Sequence, residues 1–182
     1  MRARSSTVGL IATLVLTLPA DTAPYFTLES TGALRLAVGG GEARVGLMSE
    51  PVNGRPVLEI SLGATAGEAA LMLFTYADEP LRPGRYPVGS ELPEDPAAGR
   101  RFHPCFVPGT VERPLGFFHG EIGWVTISAV EGGRVSGEYE MRARGFLAED
   151  MEDENQWVTI RGTFGAQGDS TVVGDGAVAA AH

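Results

Sequence analysis

Between positions 134 and 144 apolar and polar residues alternate without a break. Val135, Gly137, Tyr139, Met141 and Ala143 fall on one side, and Ser136, Glu138, Glu140, Arg142 and Arg144 on the other. A period of two predicts a strand with one buried and one solvated face. Shorter apolar runs suggest further strands at 25–30, 33–38, 43–49, 57–62, 69–76, 123–130, 156–164 and 170–173. Turn residues separate them: Gly39-Gly40-Gly41, Asn53-Gly54, the stretch 63–67, Pro83-Gly84 and Gly132-Gly133. Asn-Gly and paired glycines accept the positive φ of tight reversals. Strands about ten residues apart, with no helical period between them, predict an antiparallel sandwich or barrel.

The pattern also fixes a register. If 123–130 and 134–144 form a hairpin, a two-residue loop sets Val125 and Ile127 opposite Glu140 and Glu138. That places charge and apolar side chains on one face. A three-residue loop over Glu131-Gly132-Gly133 instead pairs Val125 with Tyr139, Ile127 with Gly137, Trp124 with Glu140 and Thr126 with Glu138. This register is therefore expected, with Gly133 as the left-handed residue of a bulged loop. Trp124-Val-Thr-Ile127 recurs as Trp157-Val-Thr-Ile160. If the second copy adds as a third meander strand, Val158, Ile160 and Phe164 join the buried face. Trp157, Thr159, Arg161 and Thr163 join the polar face.

Residues 77–120 break the pattern. Pro, Gly and charge dominate, with short apolar pieces at 85–88 and 117–118. The stretch reads as a long irregular crossover carrying one or two short strands. Pro87 and Pro104 would hold any strand there to an edge. The expected fold is thus all-β: a single antiparallel β-sandwich or flattened barrel of about 8–10 strands with this crossover. Its domain runs over 24–175, followed by a flexible tail at 176–182.

Composition adjusts the picture. The 182 residues suit one domain. All fourteen basic residues are Arg, and the formal net charge is −9. Absence of lysine removes Schiff-base and P-loop lysine chemistry from this chain. The acidic balance argues against a nucleic-acid partner. At the start, Arg2 and Arg4 precede an apolar run over 8–18, too short to span a bilayer. Residues 1–20 read as a signal peptide ending at Ala20. Its removal makes the chain two charges more negative. Leu18-Pro19-Ala20-Asp21 has the look of a lipobox with Asp for its cysteine, so no stable membrane anchor is expected in the mature chain. The expected location is exported, periplasmic or extracellular.

Three constellations could carry chemistry. His103 and Cys105 share a face if extended, but metal binding needs more ligands, and only His119 and His182 remain. As a nucleophile Cys105 would need a base such as His103 or His119, plus an orienting group. It reads better as a buried thiol in a covering strap, so no catalytic residue, metal ligand or cofactor is assigned. The acidic run 149–155 lacks calcium-loop spacing and reads as a solvated hairpin tip. The third set is Trp124 and Trp157 with Arg142, Arg144 and Arg161, sharing the polar face of the meander. Indoles on a wet sheet face can stack on sugars or ligand rings, with polar neighbours for orientation. Glu138, Glu140 and Arg161 read as a cross-strand charge ladder.

Pro83-Gly-Arg-Tyr-Pro-Val88 and Gly123-Trp-Val-Thr-Ile, with Val135-Ser-Gly-Glu-Tyr and Arg144-Gly145, resemble a loose set of uncharacterised exported bacterial β-proteins. The resemblance covers about half the chain and is structural. It implies a signal peptide or lipobox, the Pro-Gly-x-Tyr-Pro turn and a closing three-strand meander, and it transfers no catalytic residue. The expected role is a non-catalytic binding or interaction module for a small molecule, glycan or protein. The alternatives are a lipocalin-like carrier of a small apolar ligand and a small exported hydrolase.

Overall fold

A computed structural model describes residues 23–63, 70–95, 98–110 and 112–168. The signal peptide expected at 1–20, the strand expected at 170–173 and the tail expected at 176–182 lie outside the described residues. Among those described, ten strands form and no helix is long and apolar enough to cross a membrane. They are β1 (Tyr25–Gly32), β2 (Leu36–Gly40), β3 (Ala43–Leu47), β4 (Val57–Leu62) and β5 (Ala70–Tyr76). Then come β6 (Gly84–Pro87), β7 (His103–Val107), β8 (Gly116–Glu131), β9 (Arg134–Leu147) and β10 (Gln156–Gly168).

The three longest strands make the expected meander, β8-β9-β10. β6 adds to one side, while β1 and then β2 add to the other. A second group runs β3-β4-β5-β7. The groups join at both ends. Gln167 and Gly168 of β10 pair in parallel with Arg44 and Val45 of β3, and Cys105 and Phe106 of β7 pair antiparallel with His119 and Phe118 of β8. The result is two sheets closed into a flattened ring rather than a regular barrel. Phe102, Phe106, Phe118, Phe164, Leu28, Ile60, Leu71, Leu73, Ile127 and Ile160 fill the space between them, each fully buried.

The meander keeps the expected pairs Trp124–Glu140, Val125–Tyr139, Thr126–Glu138 and Ile127–Gly137. The device that sets them differs. Glu131 pairs with Arg134, so the loop is the two residues Gly132 and Gly133, at φ 58° and 80°. The extra residue is Ser128, a bulge between Ile127 and Ala129. Mirror-image turn geometry matches the strand twist, so the loop stays tight and the strand absorbs the offset. A second bulge lies between Gly120 and Ile122. It turns Phe118 and Gly120 inward on one side of the break, and Val125 and Ile127 inward on the other.

The stretch 77–120 carries two short strands, β6 and β7, as expected, but the reading needs correction at its end and at Cys105. β8 begins at Gly116, seven residues before the expected start, and the supposed strap at 103–107 is β7, an internal strand between β5 and β8. Pro87 does lie on an edge strand, β6. Pro104 does not. Its missing N–H is tolerated because the ladder to β8 stops at Cys105. Gly120 leaves room for its ring: a Cβ there would sit 2.7 Å from Pro104 Cδ.

Candidate functional site

β6, β8, β9, β10 and β1 together present one solvated face. Its rows follow from the register. Pro87, Trp124, Glu140, Arg161 and Glu29 lie side by side across five strands, and Arg85, Thr126, Glu138, Thr163 and Thr27 form the next row. Twisting of the sheet makes these two rows the walls of an open trough of about 690 Å³. Tyr139 and Gly162 lie beneath it; the Tyr139 side chain points inward, and its hydroxyl crosses the inner side of Gly162 to donate to the Thr27 carbonyl at 2.8 Å. A Cβ at Gly162 would stand 2.6 Å from that hydroxyl and closer still to the Thr27 carbonyl. Glycine is thus what lets β1 and Tyr139 close on β10. Burial holds the Tyr139 phenol protonated, with its pKa pushed well above the ordinary range.

The trough carries both signs of charge. Arg161 donates through Nε and Nη2 to one oxygen of Glu29, at 2.9 and 2.6 Å. That hydrogen bond raises the Arg161 pKa, with Coulomb attraction to Glu29 second and Glu140 adding a smaller share. Arg85 lays its guanidinium over the Trp124 indole at 4.1 Å. Glu138 and Glu140 have no ion pair within 4 Å among the described residues. Thr27 and Thr163 hydroxyls lie 3.0 Å apart, and the Thr163 N–H donates to Thr27 Oγ1. Trp124 is 44% exposed.

The five residues singled out in the sequence all lie on this face, but the trough gathers only two of them. Trp124 and Arg161 line it. Trp157 is opposite Arg144, two rows further along, and Arg142 stacks on its indole at 4.6 Å. Arg144 instead reaches Glu121 at 3.0 Å. The two indoles therefore stand at separate places, with Arg142 between them. Arg85, Glu29 and Thr27 were missed as site residues. They sit on β6 and β1, whose pairing with the meander leaves no local signal.

The histidine and cysteine are close but chemically quiet. Cys105 and His119 are direct cross-strand partners. The His103 and His119 rings stack at 5.3 Å, and Phe117 meets His119 edge-on at 4.8 Å. No hydrogen bond joins Cys105 to either imidazole among the described residues. Burial pushes the thiol pKa up to about 11, so it stays protonated and poorly nucleophilic at neutral pH. Among the described residues no group of three or more His, Cys, Asp or Glu is arranged to hold a metal ion. The acidic run connects β9 to β10 as exposed turns.

No family model, curated protein or solved structure matches the chain. The assignment of a role therefore rests on the site itself.

Proposed function

We propose that the protein is an exported binding module that takes a polar, hydroxyl-bearing ligand such as a glycan in the trough, against Trp124. The observation that carries this reading is a half-exposed indole set among hydroxyls and unpaired carboxylates, over a sheet whose inner face is filled. An exposed aromatic surface offers stacking, while Glu138, Glu140 and the threonines offer acceptors and donors for hydroxyl groups. Arg85 covers one indole face and places guanidinium donors beside it. The carrier alternative has less support, because phenylalanine and aliphatic side chains occupy the space between the sheets. The hydrolase alternative has less support at Cys105, whose burial keeps the thiol protonated.

The test is tryptophan fluorescence titration against neutral and acidic oligosaccharides and extended peptides. Trp124→Ala should abolish the response to the oligosaccharide that binds, and Trp157→Ala should leave its affinity within about twofold. Loss of affinity in the Trp157 variant alone would move the site off the trough. A peptide as the sole binder would replace the ligand class.

A further inference from the structure

A second pocket of about 350 Å³ opens on the opposite sheet, over β5 and β7. Val52, Val57, Phe74 and Leu92 make its walls. Val57 is 1% exposed although it faces away from the main core, so the segments around residues 48–56 and 89–95 roof this part of the sheet. The polar groups at the rim share one property. Glu91 and Glu94 have no ion pair among the described residues. Asn53 uses its Nδ2 to donate to Tyr76 at 3.3 Å, which leaves its carbonyl oxygen as an acceptor. His103 Nδ1 lies 3.3 Å from the Gly89 carbonyl, and a carbonyl can only accept, so the proton is on Nδ1. Burial lowers the His103 pKa, which keeps the ring neutral and leaves Nε2 a bare acceptor. Ser90 adds a hydroxyl that can turn either way. Among the described residues no arginine lines the pocket.

An apolar cavity ringed by acceptors and two carboxylates is complementary to an apolar body bearing a positively charged hydrogen-bond donor. We infer that this pocket binds a small apolar ammonium ion, an aryl- or alkylamine of about ten non-hydrogen atoms. Phe74 offers its ring to the apolar body, and Glu91 and Glu94 hold the ammonium at the mouth. The site is separate from the trough and does not depend on what the trough binds.

Isothermal titration of the full chain at pH 7.5 would compare 2-phenylethylammonium, 2-phenylethanol and 3-phenylpropionate. The ammonium should bind at least about tenfold tighter than the alcohol, and the carboxylate should give no binding heat. Glu91→Gln combined with Glu94→Gln should weaken the ammonium about tenfold and leave the alcohol unchanged. Both residues are exposed, so the variant keeps its fold. Trp124→Ala should leave ammonium binding intact. Equal affinity for alcohol and ammonium, no ammonium binding at millimolar concentration, or an unchanged affinity in the double variant would each overturn the inference.

Discussion

The outer face of the meander sheet meets water directly, whereas the outer face of the β3-β4-β5-β7 sheet is roofed by its own loops. On the first, Trp124, Thr126, Glu138, Glu140 and Arg161 alternate with buried Val125, Ile127, Tyr139 and Met141. On the second, Val57, Tyr76 and Cys105 are buried although they lie outside the main core cluster. Phe74, His103 and His119 stack between them. Arg55 lies over the Tyr76 ring at 3.6 Å and also bonds Asp78 and the Pro93 carbonyl, tying the two roofing segments together. The difference teaches that a strand can be covered on both faces without being central to a large sheet. One face is then a site by shape and charge, and the other a site by enclosure.

The sharpest way to break the comparison is to disturb the meander sheet from its inner side, directly beneath the open face. Gly162→Val would drive a side chain into the Thr27 carbonyl and the Tyr139 hydroxyl. It should cost about 3 kcal/mol, read from urea denaturation. A loss comparable to an ordinary surface change would show that β1 does not need that close approach.

A smaller effect should come from acid, and only from the roofed face. The His103 pKa is lowered from the ordinary 6.5, first by burial and then by the neighbouring His119, against the raising influence of the Gly89 carbonyl and Glu91. The unfolded chain therefore takes up the proton at a higher pH than the folded one. Stability from this group is complete above about pH 6.5 and is lost as pH falls through that value towards the folded pKa. His103→Asn should flatten the decline of the urea midpoint between about pH 7 and pH 5. An unchanged decline would assign the sensitivity elsewhere. The smallest effect belongs to Arg161→Ala. Its pair with Glu29 lies exposed on the surface, so the urea midpoint should stay within experimental error. Binding in the trough should nevertheless weaken if Arg161 orients the ligand.

The two faces were not equally legible in the sequence. The meander could be read to the residue because Val135 to Arg144 alternate strictly and because Trp-Val-Thr-Ile occurs twice with the same inward and outward parity. The bulge at Ser128 could not, since a one-residue offset in the loop or in the strand gives the same pairs. β7 was invisible for a different reason. Pro104, Cys105 and Phe106 are buried in succession, so no period of two survives, and one proline lies inside the stretch and another, Pro108, directly after it. Its partners are β5 and β8, and its cover is a loop. The trough was half legible. Trp124 and Arg161 follow from the meander, but Glu29 and Arg85 reach it through pairings whose partners lie far away along the chain.

Among the described residues the ring is closed by two joints of two residue pairs each, while β8 and β9 share fourteen. Thermal fluctuation finds the least-bonded joints first, so the molecule should breathe as two leaves before either leaf melts. In hydrogen–deuterium exchange, the amide of Val45, which faces β10 rather than β4, should lose protection well ahead of those in the middle of the β8–β9 ladder. The stacked imidazoles of His103 and His119 span the other joint. A chain that looks like one closed body would then behave in solution as a book whose second hinge is a pair of histidines.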